Sequence, residues 1–168
     1  TLNKPLTIVK DKWLKYQLDY LDRATERGVR PITVISIDDE GYCVAVLRGF
    51  GLDIKAEEAI SLPGKLNPDE RTRTLQELFK SASKTLEQIW TLNQASIVVL
   101  GLGFIKNYFV KYLEERMTEL REKIIDIKSV NSTGQAGVYE ALRSGILTKA
   151  LRQVRIAEEA EVVEEALR

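Results

Sequence analysis

The stretch PITVISIDDEGYCVAVLRG (31–49) decides the fold. Its two halves, PITVISID (31–38) and YCVAVLRG (42–49), are apolar, β-branched runs joined by a tight DEG turn. That pattern predicts two strands paired as a hairpin. The second run is apolar at both parities: Cys43, Ala45 and Leu47 on one side, Tyr42, Val44 and Val46 on the other. A strand with two apolar faces needs cover on both. Next, DIKAEEAISL (53–62) carries charges on both faces, as an edge strand tolerates.

Beyond LPGKLNP the period changes. Leu75, Leu78, Phe79, Ala82, Leu86 and Ile89 recur at helical spacing, predicting an amphipathic helix over about 69–91. SIVVLG (96–101) is a short buried strand of the parallel type. A second helix follows with Tyr108, Phe109, Tyr112, Leu113 and Met117 as its stripe, then a fifth strand, KIIDIKSV (123–130). Another helix opens at STGQ, and a last acidic helix holds Ile156, Ala160, Val163 and Leu167. Three meandering strands, then helix, strand, helix, strand, helix, predict a ribonuclease H-like α/β domain. Its mixed sheet has about five strands, three antiparallel then two parallel, flanked by helices.

Residues 1–30 read as an interdomain linker with a helix around Trp13, Tyr16, Leu18 and Leu21, stopped by Gly28. The domain proper is expected over 31–154, with 155–168 an acidic helix leading to a further domain. The chain starts with Thr rather than Met, so a piece of a longer protein is expected.

Composition removes whole classes of chemistry. Histidine is absent, which eliminates Ser-His-Asp and Cys-His nucleophiles, imidazole bases and nearly every zinc site. Cys43 is the sole cysteine, so no intrachain disulfide can form, and a reducing, cytoplasmic setting is expected. Lysine plus arginine and aspartate plus glutamate number 25 each. Any RNA contact must therefore come from a local patch. No apolar run approaches the ~20 residues that a membrane span requires.

Four constellations carry possible chemistry. Gly134-Gln135 in VNSTGQAGVYEAL (130–142) invites comparison with a hydrolytic glutamine. However, Ser132 precedes Gln135 by three, the S-x-x-Q spacing of a capping box, and Val138, Tyr139 and Leu142 independently mark a helix start. Ser132 and Gln135 are expected to be a structural cap. Gly101 and Gly103 lie between a strand and a helix, but Lys106 stands where a dinucleotide fingerprint needs its third glycine. Asp38, Asp39 and Glu40 end the first strand, where a nuclease would hold metal ions with help from a helix acid such as Glu77. No acid follows the fourth strand, and turn formation is the competing account of the same residues. In LPGKLNPDERTR (62–73), Lys65, Arg71 and Arg73 are candidate phosphate contacts; a solvated loop is the alternative.

WLKYQLDYLDRA, VISIDDEGYCVAVLRGFGLDI, LPGK, VVLGLGFIKNYFVKYL, STGQAGVYEALRSGIL and VRIAEEAEVVEEAL, in this order and spacing, resemble the central domain of the Pelota family. That family comprises ribosome-rescue paralogues of the archaeal and eukaryotic class I release factor. Leu102 departs from the family's common Gly-Pro-Gly-Phe. In the related release factor, Gly-Gly-Gln lies on the loop after strand three; here that place holds LPGKLNPDERTR, without it. The resemblance implies a non-hydrolysing, RNA-binding translation factor without a cofactor. Such a factor recognises stalled ribosomes in mRNA surveillance and no-go decay, with an elongation-factor-like GTPase. It approaches the P-site tRNA and promotes subunit dissociation without peptide release. The missing N- and C-terminal domains would be its intramolecular partners. Competing readings are a peptidyl-tRNA hydrolase using Gln135, a metal-dependent nuclease centred on Asp38, and an interaction module docking through AEEAEVVEEALR.

Overall fold

A computed structural model describes residues 31–48, 51–63 and 67–167, and side chains of the last helix to Ala157 and at Ala160. The expected helix before residue 31 and the candidate contact Lys65 lie outside the described residues. Five strands form one sheet: β1 (Ile32–Asp38), β2 (Gly41–Arg48), β3 (Gly51–Ala59), β4 (Ser96–Gly101) and β5 (Ile124–Ser129), in the order β3-β2-β1-β4-β5. The first three pair antiparallel, and β1–β4 and β4–β5 pair parallel. This is the mixed sheet that the sequence predicts. Among the described residues five helices accompany it: α1 (Pro68–Asn93), α2 (Ile105–Arg116), α3 (Thr118–Glu122), α4 (Gly134–Arg143) and α5 (Ile146–Leu167).

Strand parity sorts the core into two layers. Ile32, Val34, Cys43, Ala45, Leu47, Val98 and Leu100 lie on one face, under Val138, Ala141 and Leu142 of α4 and Leu147, Ala150, Leu151 and Val154 of α5. On the other face, Ile35, Ile37, Tyr42, Val44, Ile97 and Val99 meet Leu78, Phe79, Ala82, Leu86 and Trp90 of α1 and Phe109, Val110 and Leu113 of α2. Every residue of β1 is buried, as the central strand of a covered sheet must be. The charges of β3 face solvent at the edge, as expected.

Three details differ from the sequence reading. Tyr108 is not part of the packed stripe of α2 but 57% exposed, because the buried face turns toward Lys106, Phe109, Val110 and Leu113. Ile156 is 58% exposed; among the described residues Val154 is the last of α5 in the buried core. The helix itself runs unbroken through 154–155, where the sequence reading ends the domain. Among the described residues, no helix is long and apolar enough to cross a membrane.

Cys43 is wholly buried, and loss of hydration, with the charge of Glu57 adding to it, pushes the thiol from 9.0 up to about 12. Thiolate is the reactive form. The native chain should therefore react with a disulfide reagent at pH 8 about a thousandfold more slowly than the urea-unfolded chain, on the ratio set by those two values. Equal rates in stopped-flow labelling would mean that β2 is not enclosed. The same shift makes the unfolded chain lose its proton first. This contribution to stability therefore declines as pH rises from 9.0 toward about 12.

Candidate functional site

Parallel strands leave their carboxyl ends at one edge of a sheet, and α/β proteins bind ligands there. Here that edge holds a cleft of about 530 Å³, formed where the ends of β1 and β3 meet the start of α4. Asp38, Glu40, Glu57 and Glu58 line it together with Gly41, Tyr42, Ile60, Thr133 and Gly134. It is acidic. No lysine or arginine is among the described residues around it.

Asp38 ends β1 and is 1% exposed. Its Oδ1 accepts the Glu40 N–H at 2.8 Å, an Asx-turn bond that bends the chain from β1 into β2. Its Oδ2 has no hydrogen-bond partner. Burial raises the carboxyl above its ordinary value; the Glu40 N–H and, last in size, the Gly41 N–H oppose this, and the charges of Asp39 and Glu40 add to it. The Asp38, Asp39 and Glu40 ligand atoms lie within 4.8 Å of one another. Glu77 of α1 is not in that group, and the turn after β4 supplies no acid. The two-metal arrangement sketched from sequence is thus not assembled.

The capping box at Ser132 and Gln135 does not form. Thr133 occupies the N-cap position and makes no side-chain cap bond. Ser132 Oγ instead donates to Glu140 Oε1 at 3.0 Å, and Glu140 also accepts the Asn131 N–H. Gly134 has φ +56°, a left-handed conformation incompatible with the regular first turn that a capping box needs. A distant carboxylate does the work: Glu57 Oε2 accepts the Gln135 N–H at 3.2 Å, and Glu57 Oε1 accepts Gln135 Nε2 at 3.1 Å. Negative charge at a helix N-terminus is favourable on both hydrogen-bonding and dipole grounds. The partner lies 78 residues away in sequence, on β3, so no local pattern could have announced it.

Tyr42 fixes the opposite wall. Its hydroxyl lies within hydrogen-bonding distance of Glu58 Oε2, Ser81 Oγ and Thr85 Oγ1 at 3.2, 3.3 and 3.0 Å, tying β2 and β3 to α1. The candidate cationic loop leaves from this rim, where the Ile60 N–H donates to the Glu40 carbonyl. Arg71 Nη1 donates to the Pro63 carbonyl at 3.2 Å, whereas Arg73 is exposed. Two residues apart on a helix, they diverge by about 200° and present no common face.

A second hollow, of about 300 Å³, runs between α1 and α2, lined by Leu75, Phe79, Tyr108, Lys111, Tyr112 and Arg116 among others. The Arg116 guanidinium lies 5.0 Å from the Tyr112 ring centroid. The turn after β4 exposes Phe104 at 73%. The sequence reading assigned no role to Phe104 or Lys111; the helical spacing of Tyr108, Lys111 and Tyr112 was the available signal. Lys106, at the third position of the would-be glycine fingerprint, is buried and donates to the Gly103 carbonyl.

No family model matches the chain. A protein pelota homolog from Archaeoglobus fulgidus is 36% identical over 168 residues, covering 99% of this chain and 46% of the relative. The crystal structure of Archaeoglobus fulgidus Pelota superposes with a TM-score of 0.62 and 30% identity, covering 89% of this chain and 42% of that one. The chain matches a Pelota fragment. A model of ribosome-bound archaeal Pelota and ABCE1 gives a TM-score of 0.58 at 26% identity, over 80% of this chain and 38% of that one. The chain spans about half the length of the curated relatives it matches, 46% in each of the first four. The Pelota resemblance is thus carried by the folded unit just described together with flanking residues.

Proposed function

We propose that this chain serves as part of the machinery of ribosome rescue, acting in translation quality control without hydrolysing peptidyl-tRNA. The observation that carries the reading is the match to Pelota over nearly the whole chain, one relative in the set being an archaeal Pelota bound to the ribosome. Two features of the chain support the non-hydrolytic part. It contains no Gly-Gly-Gln, and its Gln135 is held by Glu57 through both the backbone and the side-chain amide. A glutamine used in this way is a poor candidate for orienting water at an ester. In this reading the complete factor works with an elongation-factor-like GTPase and contacts the P-site tRNA. Arg73 and Lys65 make phosphate contacts, with Arg71 contributing less because of its bond to the Pro63 carbonyl.

The test is a stalled-ribosome assay with a complete Pelota containing this segment and its GTPase, scoring subunit splitting and free peptide together. Splitting is expected with no free peptide, and Gln135→Ala should leave peptide at background. Free peptide that disappears in Gln135→Ala would make the protein a hydrolase and overturn the proposal.

A further inference from the structure

The buried carboxylate of Asp38 is half satisfied, and that is the unexplained feature of the cleft. One oxygen accepts the Glu40 N–H, and the other has no partner although Asp38 is 1% exposed. An unpaired carboxylate oxygen removed from water is costly, and native proteins compensate it with a donor or a cation. The described lining supplies no cationic side chain; it supplies further acids, Glu40, Glu57 and Glu58. The positive end of α4 also faces this cleft, but its free amide at Gln135 is already taken by Glu57.

We propose that a hard divalent cation binds at the rim of this cleft, with Asp38 and Glu40, which line it, as ligands and Asp39, on the turn between them, completing the protein's share of the site. Oxygens on opposite sides of such an ion are separated by about 4–5 Å, twice a metal–oxygen distance of roughly 2.0–2.6 Å. One carboxylate oxygen from each of Asp38, Asp39 and Glu40 lies within 4.8 Å of the other two, inside that span. A donor set of oxygens alone favours magnesium, manganese or calcium over copper or zinc. The chain has no histidine with which to bias it otherwise. Glu40 is exposed and lines the cleft whereas Asp38 is buried, so the ion would seat from the cleft side with water in its remaining positions. The site is independent of the ribosome reading, because it rests on Asp38 and its turn and not on any translational partner.

The probe is Mn²⁺ itself, titrated into the full chain while electron paramagnetic resonance follows the free ion. Terbium emission sensitised through Tyr42, which lines the cleft, gives a second readout. One saturable site is expected, with competition by Mg²⁺. Asp38→Asn retains Oδ1 as acceptor for the Glu40 N–H, so the turn should persist while affinity falls at least about tenfold. Glu40→Gln, on the exposed side, should weaken binding without touching the core. It decides the matter if Asp38→Asn fails to fold. Glu119→Gln on α3, outside the cleft, should change nothing. Absence of Mn²⁺ binding at millimolar concentration would overturn the proposal. So would binding that neither Asp38→Asn nor Glu40→Gln weakens.

Discussion

Gly41→Ala is expected to cost about 3 kcal/mol or more, the sum of backbone strain and overpacking. Gly41 has φ +141°, where L side chains are rarely found, and an added Cβ would sit 2.0 Å from the Glu58 carbonyl oxygen and 2.9 Å from the Ala59 Cα. Both atoms belong to the backbone of β3, which pairs with β2 at Gly41↔Ala59. Neither can retreat without opening the ladder. The alternative relaxation, moving Gly41, would break its closing register with Asp38 at the hairpin turn. Urea unfolding is the measurement. A cooperative midpoint like that of the parent would mean that the end of the hairpin is not built as described. Because Asp38, Glu58 and Gly41 all line the cleft, a folded remnant of this variant should also bind Mn²⁺ poorly.

Phe109→Ala should destabilise by about 3–5 kcal/mol through lost burial and an unfilled cavity. Phe109 is wholly buried, and its ring centroid lies 5.7 Å from that of Phe79, which in turn stands 5.7 Å from Tyr112. This aromatic chain joins α2 to α1 over the sheet face that carries Ile35, Ile37 and Val99. Removing Phe109, the fully enclosed end of that chain, leaves packed neighbours around the gap, so little collapse can offset the loss. The denaturation midpoint should fall with an unchanged slope, as for a pure stability change. Phe109→Leu should recover most of the difference. A loss under about 1 kcal/mol for the alanine variant would contradict the packing of α2 against α1.

The sheet was legible because each strand declares its two sides. Cys43, Ala45 and Leu47 against Tyr42 and Val44 already separate the residues that meet α4 and α5 from those that meet α1 and α2. Short-range helix signals were less secure. Tyr108 and Ile156 are apolar enough to extend a stripe, yet a helix buries only the arc that its neighbours reach, and no local pattern reports where that contact ends. The five-residue α3 is too brief to generate a period. At the site, the acids of the first turn were visible as turn formers; the burial of Asp38 was not, since it depends on what packs around the end of β1. The role of Gln135 was misread for a related reason. S-x-x-Q is a local rule, and it was displaced by Glu57 from another strand and by Glu140 one turn further along.

The central place of β1 has a consequence in time. On one side it pairs with β2 across a two-residue turn, from Asp38↔Gly41 to Ile32↔Leu47. On the other it pairs with β4, where Ile32 meets Ser96, 64 positions away (96 − 32). Ribosomal synthesis delivers about 5–20 residues per second, so several seconds separate the emergence of Arg48 from that of Leu100. During that interval ITVISID has one satisfied side and one open row of amides and carbonyls, a surface to which any foreign strand can add. The segment most enclosed in the finished molecule is, while the chain is being made, its most exposed pairing edge.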